Sequence, residues 1–482
     1  MKLFNAYASL GKSFYKKSKP ALFESPQLKL WNSRLADELM MSDAFQKDEA
    51  FLAQVFSGQQ GIQGSEPIAT AYAGHQFGHF VPQLGDGRAH LLGDLRDTYG
   101  NKREIQLKGS GSTPFSRGGD GRCAIGPAVR EYIMSEAMFA LGVPTTRCLA
   151  VVSTGETVFR QRELPGAVVT RVAASHIRVG SFQYFAAQGD IQALKVLCDY
   201  TVKSHYPELE DVAENQAIKL LEKVMEKQIQ LIVEWMRVGF IHGVMNTDNC
   251  ALSGETIDFG PCAMMGSYNP EAVFSSIDKL HRYAFGKQAT IAQWNMARLA
   301  ECLLPLVHDD KDKALAALIP LVEGFSTHFQ QAYRHMMGKK LGLNVVDEKD
   351  DKLIQAMLNR MQEKQLDYTR TFDAISKSLD SEQSEIKEKL GSVFDDWMQR
   401  LMQQKLPLDE IQAVMRSHNP VLIPRNHHVE AVLQICEKTG DMRAVKAFLA
   451  VLESPYEELL ETHRYQDEAS DGDADYQTFC GT

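Results

Sequence analysis

The sequence predicts an α+β protein of two lobes, the first rich in strands and the second helical, with helical extensions around them. Three observations predict it. Glycines crowd the stretch from about 61 to 125, where short apolar runs alternate with turn residues; two β-branched runs follow a single helix; and helical periodicity then continues over most of the chain. With 482 residues and 44% hydrophobic content, the chain can bury a large core spread over several units of ordinary domain size.

Taken in order, residues 1–60 form an N-terminal extension, in which ESPQLKLWNSRLADELMM (24–41) has the Ser/Pro start and apolar spacing of a helix. The sheet-rich lobe spans 61–165. Within it AHLLGDL (89–95) and REIQLKG (103–109) read as strands joined by turns. PAVREYIMSEAMFALGVP (127–144) reads as a helix that proline opens and Gly142 closes. TRCLAVVS (146–153) and GAVVTRVA (166–173) follow as strands flanking a turn. The helical lobe spans 166–460. Its leading helix, 217–239, places Leu221, Val224, Met225, Ile229, Ile232, Trp235 and Met236 on one stripe and ends at Gly239. Further helices are expected at 291–306, 312–338, 350–405, 408–416 and 428–452, before an acidic, flexible tail over 461–482.

The formal charge of −10 argues against a surface built to coat nucleic acid or anionic membrane, so any phosphate ligand must meet a focused cluster of basic residues. No apolar run reaches the ~20 residues needed to span a bilayer, and the N-terminus lacks the apolar core of a secretory signal. A cytoplasmic protein is expected. The eight cysteines are scattered without a CxxC pair, which disfavours a zinc ribbon or a disulfide framework.

Chemistry concentrates in HGVMNTDN (242–249) and TIDFG (256–260). An Asn and an Asp on neighbouring loops can hold a magnesium ion, which takes oxygen ligands and shares them with phosphates. Aligned on the protein-kinase pattern HRDLKPEN followed by DFG, His242 takes the histidine position, Asn249 and Asp258 those of the metal ligands, and Val244 that of the proton-accepting aspartate. Valine accepts no proton, so ordinary γ-phosphoryl transfer is in doubt. Asp248 is the nearest carboxylate. Its possible roles are a displaced base, a partner of a metal ligand, or a turn former.

Upstream, LGDGR (84–88) precedes one predicted strand and Lys108 lies in the next, an arrangement like a kinase glycine loop and its phosphate-binding lysine. A small-residue loop, GSGSTPFSRGGDGRC (109–123), then offers amides and arginines to phosphates, or serves as a lid. Glu131 and Glu136 are both candidates to pair with Lys108. Arg171, His176 and Arg178 fall at the join between the lobes, where two guanidinium forks can converge on phosphate oxygens.

These motifs together resemble the selenoprotein O family, known in bacteria as YdiU. The resemblance runs from YAGHQFGHFVPQLGDGR (72–88) through SHIRVGSFQYF to TIDFGP, and on to NPVLIPRNHHVE (419–430). It implies an atypical protein-kinase-like two-lobed fold that binds ATP in a reversed orientation and transfers AMP, or UMP from UTP, to protein Ser, Thr or Tyr hydroxyls. By the same resemblance Gly85, Gly87, Arg88, Lys108, Asp120, Gly121, Arg171, Arg178 and Asp258 would contact nucleotide, and Glu131 would pair with Lys108. Asp248 would accept the proton, while Asn249 and Asp258 would bind Mg2+ or Mn2+. Val244 is then tolerable, because the reacting atom is the α-phosphorus. The partners implied are protein substrates and a nucleoside triphosphate, with no nucleic acid and no membrane. The alternatives are a protein or small-molecule kinase and a catalytically silent nucleotide-binding regulator.

The tail adds a further family feature. Animal members carry selenocysteine third from the C-terminus, and FCGT puts Cys480 there. A redox disulfide between Cys480 and a core thiol such as Cys262, gating the site, is the corresponding expectation.

Overall fold

In the computed structural model, residues other than 161, 213, 380–383, 471, 474 and 480–482 are described. Their central feature is a sheet whose strand order is Tyr15–Lys17, Ile68–Thr70, Ala89–Arg96, Lys102–Lys108, Glu163–Ala173, Arg147–Phe159 and Gln27–Trp31, with Cys123–Ala124 added beside Glu163–Ala173. The pairings are antiparallel. Successive residues of a strand face opposite sides, and here both sides are apolar. Leu91, Val151 and Val169 join the core shared with the helical part of the chain. Leu92, Ile105, Leu107, Val152 and Val168 pack under the N-terminal extension, against Leu52, Val55 and Phe56. That extension also supplies both edge strands of the sheet.

The extension corrects one expectation. Gln27–Trp31 is a strand, and the helix there spans only Ser33–Glu38. QLKLW has strand alternation, finds a partner in Arg147–Phe159, and gives way to helix only where Asn32 accepts the Leu35 N–H at 3.0 Å.

Helix Ile125–Ala140 crosses one face of the sheet, and helix Gln216–Val238 is the central buried helix of the rest. Asn215 caps the latter's start, and Gly239 ends it at φ +76°. The strand Phe240–Ile241 follows at once and pairs with Ala263–Met264. This two-stranded ribbon brackets HGVMNTDN and TIDFG, so the two loops leave and rejoin one short ladder.

Beyond it the chain is helical: Gln288–Val307, Lys311–Lys340, Asp351–Glu363, Tyr368–Lys377, Ser384–Leu390, Ser392–Met402, Leu408–His418, Asn426–Thr439 and Arg443–Leu452. The expected single helices 350–405 and 428–452 are therefore broken. Asp367 caps a new start by accepting from Arg370 N, Gly391 has φ +62°, and Gly440 closes Asn426–Thr439 in the left-handed region. Apolar periodicity alone does not reveal such interruptions.

The tail's composition suggests a loose segment, yet its described residues make specific contacts. Tyr476 Oη lies 3.1 Å from Arg130 Nη2 and donates to Glu430 Oε1 at 2.9 Å. Thr478 donates its hydroxyl to the Pro261 carbonyl at 2.7 Å, directly after the DFG glycine. Among the described residues no helix is long and apolar enough to cross a membrane.

Candidate active site

Alternation along Lys102–Lys108 builds the first wall. Ile105 and Leu107 turn into the core, while Glu104, Gln106 and Lys108 share the opposite face. Lys108 Nζ lies 2.6 Å from Glu131 Oε2 and 3.0 Å from Asp258 Oδ1. The other Glu131 oxygen accepts from Arg171 Nε at 2.8 Å, and Arg171 Nη1 reaches Gln106 Oε1 at 3.3 Å. The choice between two glutamates is thereby decided: Glu136 instead binds Arg147 at 2.8 Å and Asn32 at 2.7 Å.

This network keeps both carboxylates ionised. Burial alone would raise the Asp258 carboxyl, but Lys108, Arg171 and Arg88 outweigh it and hold Asp258 well below the usual carboxylate range. Glu131 is likewise lowered against burial by Arg171 and Lys108. Asp258 sits at φ +67°, in the left-handed region that only a few residue types enter readily.

His242 ties the two motif loops together. Its Nε2 donates to the Ile257 carbonyl at 2.9 Å, leaving Nδ1 to accept the Val244 N–H at 3.3 Å. Asn249 Nδ2 lies 3.3 Å from Asp258 Oδ2 and donates to the Val244 carbonyl at 3.1 Å. A half-turn of that amide would present its oxygen beside the carboxylate. Asp248 is buried, with Oδ1 shielded and lacking a hydrogen-bond partner. Burial pushes its carboxyl up to about 6 against the pull of Arg178 and a 3.3 Å hydrogen bond from Gln76. An amide side chain beside an ionised aspartate, with an orphaned carboxylate oxygen on the residue before the amide, fits a hard divalent cation.

The glycine turn is clasped by the loop after Lys108. The Ser116 hydroxyl donates to the Gly87 carbonyl, and Thr113 Oγ1 donates to the Asp86 carbonyl at 2.7 Å. Gly85 has φ +69°, and a Cβ there would lie 2.3 Å from the Phe115 ring. At the loop's base Gly121 accepts from Gly111 N at 3.1 Å. The Asp120 carboxylate is engaged by Arg160 at 2.8 and 3.1 Å rather than by the Lys108 cluster. Arg178 is buried over the Tyr72 ring, 4.4 Å from its centroid, and donates to the Asp248 carbonyl at 3.2 Å. Arg171, Lys108, Glu131, Asp258 and Asn249 thus form one bonded chain, and Arg178 joins Asp248 to the glycine turn through Asp86, 3.6 Å away.

Several residues of this network were not singled out from sequence. Asp86 is buried and accepts from Thr70 Oγ1 at 2.6 Å and Gln106 Nε2 at 3.4 Å. Glu104 receives the His176 ring Nδ1 and backbone N–H, both at 2.9 Å. The hairpin Gly74–Gln76/His79–Val81 lies against the motif loop: His75 N donates to Thr247 Oγ1 at 2.7 Å and Phe77 N to Asn246 Oδ1 at 3.0 Å. Polar residues at alternate positions of a buried strand were the available signal for Glu104 and Gln106.

Cys262 is fully buried; burial pushes its thiol up to about 12, with Arg130 partly offsetting, and the thiol donates to the Phe259 carbonyl at 3.2 Å. Cys480 lies outside the described residues.

A buried lysine–glutamate pair, an ionised aspartate and a glycine turn clasped by a small-residue loop are thus linked in one network. The family model described as "Protein adenylyltransferase SelO" matches residues 1–453. Over their whole lengths, the chain is 51% identical to a protein nucleotidyltransferase YdiU of Teredinibacter turnerae and 50% identical to one of Pseudoalteromonas translucida. A third, from Nitrosococcus oceani, is 48% identical over 99% of this chain and 97% of its own. By these relatives the chain is an enzyme of the nucleotidyltransferase class. The chain belongs to the SelO family.

Proposed function

We propose that this enzyme transfers AMP from ATP to Ser, Thr or Tyr hydroxyls of proteins, releasing pyrophosphate, and that it accepts UTP by the same route. The observation that carries this reading is the pairing of an intact Lys108–Glu131–Asp258 network with Val244 at the position where a kinase needs its base. A site that keeps the charges for binding a triphosphate, but not the base aimed at the γ-phosphate, suits attack at another phosphorus. The two-lobed, kinase-like arrangement is part of the same reading.

In this mechanism Lys108, Arg171 and Arg178 bind the triphosphate, their positions held by Glu131 and Asp86. The amides of the clasped turn at Gly85 and Gly87 approach its oxygens, with Arg88 and Gly121 completing the contacts, while Asp120, held by Arg160 and able only to accept, meets a donor of the nucleoside. Asn249 and Asp258 would hold Mg2+ or Mn2+, whose charge offsets that developing on the phosphates. Asp248 takes the proton from the attacking hydroxyl through its unpartnered Oδ1. The α-phosphorus–oxygen bond to pyrophosphate breaks as the new ester bond forms.

Intact-mass spectrometry of a protein acceptor after incubation with enzyme and ATP tests this reading. Addition of an adenylyl group supports it, and addition of a phosphoryl group overturns it.

A further inference from the structure

The motif NPVLIPRNHHVE has no role in the chemistry above, although part of it forms a compact donor cluster. Helix Asn426–Thr439 carries His427 and His428 in its first turn, their rings 4.1 Å apart between centroids. Both face Asp467, in the segment that returns from the end of the helical region. His428 Nε2 is 2.6 Å from Asp467 Oδ1, and His427 Nε2 is 3.5 Å from Oδ2. The three donor atoms lie within 4.8 Å of one another. His427 Nε2 is shielded from solvent and has no hydrogen-bond partner.

We infer that His427, His428 and Asp467 form a binding site for a borderline divalent transition cation, of the Zn2+ class, separate from the nucleotide site. Two imidazole nitrogens and one carboxylate suit zinc, cobalt or nickel, whereas magnesium and manganese favour oxygen donors. Zinc takes such ligands at about 2.0–2.1 Å, which sets tetrahedral donors roughly 3.3 Å apart. The His427 contact, to Asp467 Oδ2, is 3.5 Å and lies close to this, while His428 meets the other carboxylate oxygen, Oδ1. The His428–Asp467 contact needs to open by only ~0.7 Å, and the Asp467 side chain is 62% exposed and can move. The nearby Arg425 does not oppose a cation with a bare charge, because Asp367 binds it at 2.7 and 3.1 Å.

The cation would clip the tail segment to helix Asn426–Thr439. From there the tail continues to Tyr476, on Arg130 and Glu430, and to Thr478, on the Pro261 carbonyl. Occupancy at Asp467 thus fixes one end of a strap whose other end lies beside the DFG segment.

Calorimetric titration of the full chain with Zn2+, in saturating Mg2+ to occupy the oxygen site, tests the assignment. One zinc per chain is expected in the wild type and in Asp258→Ala. The affinity should fall at least tenfold in Asp467→Asn and vanish in the double variant His427→Ala/His428→Ala. Bound zinc should raise the Tm of the wild type and leave that of the double variant unchanged, since only a ligand of the folded state stabilises it. Equal zinc binding by the wild type and the double variant, unchanged affinity in Asp467→Asn, loss confined to Asp258→Ala, or no zinc binding at all would each overturn the site. Asp467→Asn, at an exposed position, keeps the test decisive if the double variant does not fold.

Discussion

Glu131 holds two cations at once: Lys108 at 2.6 Å through one carboxylate oxygen and Arg171 at 2.8 Å through the other. All three side chains are buried. A carboxylate in this position does more than orient the lysine, because it also neutralises the charge that would otherwise drive Lys108 and Arg171 apart.

Glu131→Gln should therefore cost both stability and activity. It leaves Arg171 without its carboxylate in a buried setting, a change worth about 3–5 kcal/mol in comparable pairs. Urea unfolding should show a lower midpoint with an unchanged slope. Glu136→Gln should destabilise through Arg147 while leaving the affinity for ATP within twofold, ~0.4 kcal/mol, of the wild type.

Asp248→Asn separates proton acceptance from binding. Loss of a general base slows a reaction by about 10² to 10⁴, so the turnover number should fall by that order while ATP binding persists. Equal losses in binding and turnover, measured by calorimetry and steady-state kinetics, would assign Asp248 a structural role.

Gly85→Ala tests the clasped turn. The new methyl meets the Phe115 ring at a backbone angle of φ +69°, and strain of this kind costs about 1–3 kcal/mol. The Michaelis constant for ATP should rise. The paired variant Gly85→Ala/Phe115→Ala should recover part of the loss, since it removes the collision while leaving the backbone strain.

His90 gives the acid limb of stability. It is fully buried between the hydroxyls of Ser18 at 3.0 Å and Ser110 at 2.7 Å, and burial, partly offset by Asp86, lowers it to about 4. The folded value lies below the unfolded value of about 6.5, so the unfolded chain takes up this proton first. Stability from neutral His90 is thus complete above about pH 6.5 and lost as pH falls toward 4, by roughly 3 kcal/mol. His90→Asn should flatten the fall in Tm over that range.

Much of this was legible in the chain. The pair HGVMNTDN and TIDFG, and the placement of Lys108 within a strand, carry chemistry in residue type and spacing, so sequence locates them. The choice of Glu131 over Glu136 was not legible from periodicity, because it depends on where helix Ile125–Ala140 meets the sheet; Glu136 is taken by Arg147 and Asn32 from outside the site. Asp86 and Gln76 escaped for a related reason: each acts through partners distant in sequence, such as Gln76 on Asp248. The strand Gln27–Trp31 was misread as helix because five residues carry too little periodicity to outweigh the helical run that follows.

Paired incubations with ATP labelled at the α- or the γ-phosphate distinguish nucleotidyl from phosphoryl transfer by this enzyme. With Mg2+ or Mn2+, label should remain on protein only from the α position, and Asp258→Ala should abolish it. Label retained from the γ position would make this a kinase despite Val244 and would contradict the account.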